Sequence, residues 1–176
     1  MENLKYPIGP FDHENEIQDS EIEKLISQIE VIPSELRKIV ASLSLEQLNT
    51  PYRPGGWQVG QVIHHLVDSH MNAYFRFNLA LTENSPIIKP YKENLWAELP
   101  YKKYQNVPDS LNLLEGIHSL LALLMRSMKR QDFDKTFFHP ENKRVYSLRK
   151  ALALYAWHGK HHLAHINKLI ERNFDR

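Results

Sequence analysis

Apolar residues recur at helical spacing over four separate stretches of the chain. The first runs from about residue 21 to 43 and aligns Ile22, Leu25, Ile26, Ile29, Ile32, Leu36, Ile39, Val40 and Leu43 on one face, the pattern of an amphipathic helix. Ser20 followed by Glu23 offers a capping box at its start, and Pro33 should kink this helix or divide it in two. Ser44 and Gln47 can cap a short turn through Leu48. The stretch Thr50-Pro51-Tyr52-Arg53-Pro54-Gly55-Gly56 is a loop by its breaker chemistry. The second pattern runs from Trp57 to about Leu81, with Val59, Val62, Ile63, Leu66, Tyr74 and Phe77 as its stripe. Residues 82–107 are polar and carry at most one short helix, around Glu93 to Glu98. A connection this long is often functional in a compact domain.

Asn106 or Asp109 can cap the third helix, whose stripe is Leu111, Leu114, Ile117, Leu120, Leu121, Leu124 and Met128. Phe137-Phe138-His139 and Val145-Tyr146, around a turn at 140–143, make a small hairpin. Ser147 then caps a fourth helix that reaches about Arg172. Residues 1–18, with Pro7, Gly9 and Pro10, lack periodicity and predict an extended arm ahead of one domain over 19–176. The expected fold is all-α: a four-helix bundle with long crossover connections and a small hairpin. The short connection after Leu43 and the long one after Leu81 allow a topology other than simple up-and-down.

Length and composition narrow the function. A chain of 176 residues fits one domain, and 42% hydrophobic residues suffice for a core. The net charge of +1 argues against nucleic acid as a partner, since phosphate binding shows as a basic face. Without cysteine, disulfides, thiolate ligands and a cysteine nucleophile are excluded, and a reducing cytoplasm is expected. No signal-peptide pattern opens the chain, and no apolar run approaches the roughly 20 residues that span a membrane. A soluble cytoplasmic protein is the expectation.

The candidate chemistry is histidine. Trp157-His158-Gly159-Lys160-His161-His162-Leu163-Ala164-His165 places two i, i+4 pairs, His158/His162 and His161/His165, on the fourth helix. Imidazoles one turn apart can reach a single metal ion. Counting helical phase, His158/His162 is the pair aimed inward, and His161 should lie at the surface. Of the earlier cluster His64, His65 and His70, periodicity picks His70 as inward and does not separate His64 from His65. His64 and His165 are expected to be exposed or to support the site. His70 reads as a hydrogen-bonded core histidine. His13, His118 and His139 are isolated in sequence, although the hairpin could bring His139 to a pocket. Asp68 could orient an imidazole of His64 or His65. Tyr52, Arg53 and Arg76 could meet an anionic substrate.

Two segments resemble a known family. Gly55-Gly56-Trp57-Gln58-Val59-Gly60-Gln61-Val62-Ile63-His64-His65 through His70, and Tyr155 to Ile166, are similar to the paired motifs of DinB-like proteins. Leu4 to Gly9, Thr50 to Arg53 and Phe138-His139-Pro140 resemble the YfiT-like branch of Bacillus and its relatives. The resemblance implies a DinB-type four-helix bundle that is often a homodimer. It implies metal ligands at His65, eight residues after Trp57, and at His158 and His162, with one zinc or nickel ion per chain. It implies a metal-dependent hydrolase acting on a small molecule through activated water. Relatives that transfer low-molecular-weight thiols of the bacillithiol type make a metal-dependent S-transferase the alternative, and a non-catalytic metal-binding stress protein the third reading. The catalytic base is left open, because neither motif contains an obvious one.

Overall fold

The computed structural model describes residues 2–103 and 107–174. Its helices are α1 (Glu2–Lys5), α2 (Ile22–Ala41), α3 (Leu45–Leu48), α4 (Val59–Thr82), α5 (Glu93–Ala97), α6 (Val107–Ser127) and α7 (Leu148–Asn173). Strands β1 (Thr136–His139) and β2 (Arg144–Ser147) pair antiparallel, with Phe137 opposite Tyr146. The four long helices, α2, α4, α6 and α7, form the bundle. Helices α2 and α4 each pack on both α6 and α7. The first two long helices thus lie across the bundle from each other, and the chain does not wind simply up and down. Two long connections make this order feasible: residues 42–58 link α2 to α4, and residues 83–106 link α4 to α6.

Several ends are built as the sequence predicts. The Ser147 hydroxyl accepts from the Lys150 amide at 3.1 Å, and Ser44 and Gln47 cap one another. Of the two proposed caps of α6, Asn106 lies outside the described residues. The start of the first long helix differs: Gln18 and Glu21, not Ser20 and Glu23, form the reciprocal pair, ahead of a single 3-10 turn. The arm is not wholly extended either, since it begins with the helical turn α1.

Pro33 does not divide α2, which runs unbroken. A proline removes the N–H that would meet the carbonyl four residues back, which here is that of Ile29. The Nδ1–H of His118, on α6, donates to this Ile29 carbonyl at 2.6 Å. A buried polar group that the helix cannot satisfy is thus satisfied by its neighbour. His118, isolated in sequence, is 1% exposed.

The apolar core forms two clusters. One is built around Ile26, Ile29, Phe77, Leu121 and Leu152, the other around Ile32, Leu36, Ile63, Leu66, Leu114 and Ile166. Between them α2 and α7 come very close. A Cβ on Gly159 would lie 2.0 Å from Cδ1 of Ile32, so any larger residue there would displace the buried Ile32 side chain. Leu120, placed in the predicted stripe of α6, is instead 55% exposed, with Leu113 and Leu123 beside it on the outer face.

The pairing of Pro33 with His118 yields a prediction. His118→Leu should lower the unfolding free energy by about 1–3 kcal/mol, the cost of a buried carbonyl without a donor. Pro33→Ala restores the helix donor, so the same leucine substitution in that background should cost markedly less. Urea unfolding of the four proteins in this cycle measures the difference, and equal costs in both backgrounds would refute the pairing.

Candidate metal centre

The middle of the bundle is lined with imidazoles from three of its helices. His65 comes from α4, His158 and His162 from α7, and His70 and His118 stack on one another between α4 and α6, with ring centroids 4.6 Å apart. Nε2 of His158 lies 3.2 Å from Nε2 of His65 and 3.2 Å from Nε2 of His162. One nitrogen from each of the three lies within 4.8 Å of the others. His65 and His162 are buried, whereas His158 is half-buried.

The structure separates the other candidates by position. His64 turns the opposite way on α4, and its Nδ1 pairs with the Ser110 hydroxyl of α6 at 2.7 Å. His70 is fully buried, as the periodicity predicts, but sits behind His158 rather than beside the three converging nitrogens. His161 and His165 are not surface residues: they are 7% and 3% exposed. The arm accounts for the difference. Tyr6 covers His161, which also stacks on Trp157, and the Lys5 carbonyl meets His165. Helical phase cannot register a segment that folds back from elsewhere in the chain. Asp68 forms a buried ion pair with Lys102 from the crossover after α5, with His64 as a further electrostatic neighbour. His13, in the arm, contacts Phe11 and Tyr146.

Desolvation governs the charge of these rings. Burial, then the nearby Lys102 and His161, lowers His65 from 6.5 to about 3. Burial followed by neighbouring imidazoles holds His158 and His162 well below the ordinary histidine value. The three rings are therefore neutral at pH 7 and carry lone pairs available to a cation. Two of the three nitrogen pairs also have the spacing that one ion requires, and the third lies within 4.8 Å. Two nitrogens on a tetrahedron with zinc–nitrogen bonds of about 2.0–2.1 Å stand roughly 3.3 Å apart, close to the observed 3.2 Å.

Two cavities meet at this centre. One, of about 730 Å³, is bounded by Arg76, His139, Glu141 and Tyr155; the other, of about 510 Å³, by Lys5, Arg53, Trp57 and His65. His158, Glu93 and Asn94 border both. His139 reaches its cavity through the hairpin. The crossover strand-like segment aligns there, with the Phe138 amide donating to the Pro86 carbonyl at 2.9 Å. Arg76 donates to the Tyr155 hydroxyl at 2.7 Å, and Arg53 to that of Tyr52 at 3.0 Å. Glu93 and Glu141 are carboxylates that the motif reading misses. Burial and then Glu141 raise the Glu93 carboxyl above its ordinary value. Their only sequence signal is the unusual length of the crossover that contains Glu93.

Lowered histidine values make stability depend on pH. For a histidine whose folded value is depressed, the unfolded chain binds the proton first. The stabilisation is therefore complete above about pH 6.5 and is lost as pH falls toward the folded values, near 3 for His65 and about 4 for His118, His161 and His165. Each such ring can remove up to about 1.4 kcal/mol per pH unit. Metal-free protein should accordingly show a urea midpoint that drops steeply between pH 7 and pH 5, and a flat profile over that range would contradict the buried neutral cluster.

Comparisons with known proteins agree with this architecture. The DinB superfamily profile matches residues 28–166. A protein of Bacillus cereus (strain 03BB102) named "Putative metal-dependent hydrolase" is 51% identical over 172 residues, covering 98% of each chain. A protein of the same description from Bacillus thuringiensis subsp. konkukian (strain 97-27) shares the same identity and coverage. Among solved structures, YfiT from Bacillus subtilis, described as "a probable metal-dependent hydrolase with an unusual four-helix bundle topology", superposes with a TM-score of 0.94. It is 45% identical, with 97% of each chain covered. The chain belongs to the DinB superfamily.

Proposed function

We propose that this chain is a metal-dependent hydrolase of small molecules, with one zinc or nickel ion held by Nε2 of His65, His158 and His162. The observation that carries this reading is the convergence of three desolvated, neutral imidazole nitrogens from two helices where two cavities meet. Held by three neutral ligands, such an ion would supply Lewis-acid activation of water at neutral pH. The chain's own groups do the rest. Glu93, which borders both cavities as His158 does, takes the proton from the attacking water and returns it to the leaving group. Arg76 and Arg53 bind and orient anionic portions of the substrate, one in each cavity.

The reaction is tested on zinc- or nickel-loaded protein with chromogenic ester and phosphoester panels. His158→Ala should lose both the ion and the activity. Glu93→Gln should keep one equivalent of metal while kcat falls by roughly 10²–10⁴-fold, the usual contribution of a positioned acid–base group. If loaded and metal-free protein are equally inert toward every hydrolytic substrate, the hydrolase reading fails. The meeting of two cavities at His158 favours a second reading, transfer of a low-molecular-weight thiol to an electrophile, with one co-substrate in each cavity. Conjugate formation by the loaded protein, without hydrolysis, would establish that reading instead.

A homodimer also fits the molecule. Leu113, Leu120 and Leu123 form an exposed apolar stripe on α6, and a second copy would bury it. Sedimentation should give a dimer for the wild type and a monomer for the Leu120→Glu/Leu123→Glu double variant; a monomeric wild type would refute this assembly.

A further inference from the structure

The two α7 imidazoles of the centre each have another histidine behind them. His158 turns Nε2 toward His65 and His162, while its Nδ1 lies 3.3 Å from Nε2 of His70. His162 turns Nε2 toward His158, while its Nδ1 lies 3.4 Å from Nδ1 of His165. His165 in turn places Nε2 3.1 Å from the Lys5 carbonyl. None of these backing contacts involves solvent-exposed rings: His70 and His165 are 0% and 3% exposed.

The proton positions follow from what each partner can do. A carbonyl only accepts, so the proton of neutral His165 sits on Nε2 and is donated to Lys5. Its Nδ1 then offers a lone pair and can only accept. His162 must therefore donate from Nδ1, which leaves its Nε2 lone pair facing the centre. At His158 no carbonyl fixes the partner: Nδ1 of His70 has no hydrogen-bond partner among the described residues, so the direction of this contact is assigned from the metal reading, which needs a lone pair on Nε2 of His158. A proton on Nδ1 of His158 donated to Nε2 of His70 leaves the His158 Nε2 lone pair facing the centre. The His70 ring has little freedom to turn away. It stacks on His118 at an interplanar angle of 18°, and His118 is itself tied to the Ile29 carbonyl.

We propose that His70 and His165 are positioning residues that hold His158 and His162 in the Nδ1–H tautomer, so that both Nε2 lone pairs point at one position. The proposal deepens the three-histidine metal reading and rests on it for its purpose. The His162 tautomer, set through His165 and the Lys5 carbonyl, is a property of the metal-free chain. His165 extends the control to the arm: the Lys5 carbonyl sets its tautomer. The arm is held in register where the Gly9 carbonyl accepts from Trp157 Nε1 at 3.3 Å and the Pro7 carbonyl from Lys168 Nζ at 3.0 Å. Outer hydrogen-bond partners of ligating histidines fix ring orientation and tautomer in this way, and their loss typically costs 10–100-fold in metal affinity.

The test is long-range proton–nitrogen NMR of the folded, metal-free chain at pH 7.5 with nitrogen-15-labelled histidine, followed by zinc titration of the same samples against a chelating dye. In the wild type, His158 and His162 should both show the Nδ1–H tautomer. His70→Leu should shift His158, and only His158, toward Nε2–H, and His165→Leu should shift His162. Zinc affinity should fall about 10–100-fold in each leucine variant. His70→Gln and His165→Asn place an amide oxygen near the lost acceptor nitrogen and should restore both tautomer and affinity, which a packing role would not predict. Nε2–H on either ring in the wild type, or tautomers unchanged by the leucine substitutions, would overturn the proposal, and the wild-type spectrum decides it even if a leucine variant does not fold. Correct tautomers in a chain that binds no zinc would uphold the positioning role and overturn the metal reading instead.

Discussion

Keeping imidazoles neutral inside a helical bundle is the constraint around which this molecule is arranged. Eight of the ten histidines are buried, too many to be accommodated as charges in a core where, among the described residues, Lys102 is the one buried lysine and is held against Asp68. A buried neutral imidazole must still satisfy a donor and an acceptor. The irregular architecture supplies some of those partners, although among the described residues Nδ1 of His70 and Nε2 of His118 have none. Pro33 leaves the Ile29 carbonyl to His118, the arm brings the Lys5 carbonyl to His165, and Ser110 on α6 meets His64. The apolar clusters above and below provide the bundle's stability, and the polar layer between them fixes which rings face one another.

Hydrogen bonds lead inward to the centre from opposite sides. From the bundle interior the order is Ile29, His118, His70, His158, with stacking as the link between His118 and His70. From the arm it is Lys5, His165, His162. These lines start in elements far apart in sequence and end one helical turn apart on α7. Gly159 lies in that turn, and its missing side chain lets α7 press on Ile32 of α2. Position on α7 is thus set by packing, while the orientation of its imidazoles is set by hydrogen bonds. His65, by contrast, is delivered from α4 against Trp57, with ring centroids 4.7 Å apart.

The long helices were legible because their apolar periods are long and their caps are local. Ser44 and Ser147 cap as local sequence chemistry requires, and the His158/His162 pair is inward by phase alone. What escaped was non-local. His161 carries a surface phase on α7, and both it and His165 are buried by a segment about 150 residues earlier in the chain. Asp68 sits one turn from His64 and His65 yet is claimed by Lys102, and Leu120 continues an apolar period onto an outer face. Phase correctly selected His70 as the most inward histidine of α4, but the most inward residue serves here as a backing group. His65, chosen by family resemblance, is the one whose nitrogen meets those of α7. Glu93 and Glu141 were invisible because cavity walls drawn from a crossover and a hairpin leave no periodic trace.

The central claim is that His65, His158 and His162 bind one ion through Nε2. Its most direct test is a crystal structure of zinc-loaded protein with diffraction recorded on both sides of the zinc absorption edge. The account predicts one anomalous peak per chain, about 2.0–2.1 Å from each of the three Nε2 atoms, with Nδ1 of His158 and His162 still directed at His70 and His165. A peak bound through Nδ1, a peak that recruits His64 or His70 in place of His65, or no peak at this position would contradict it.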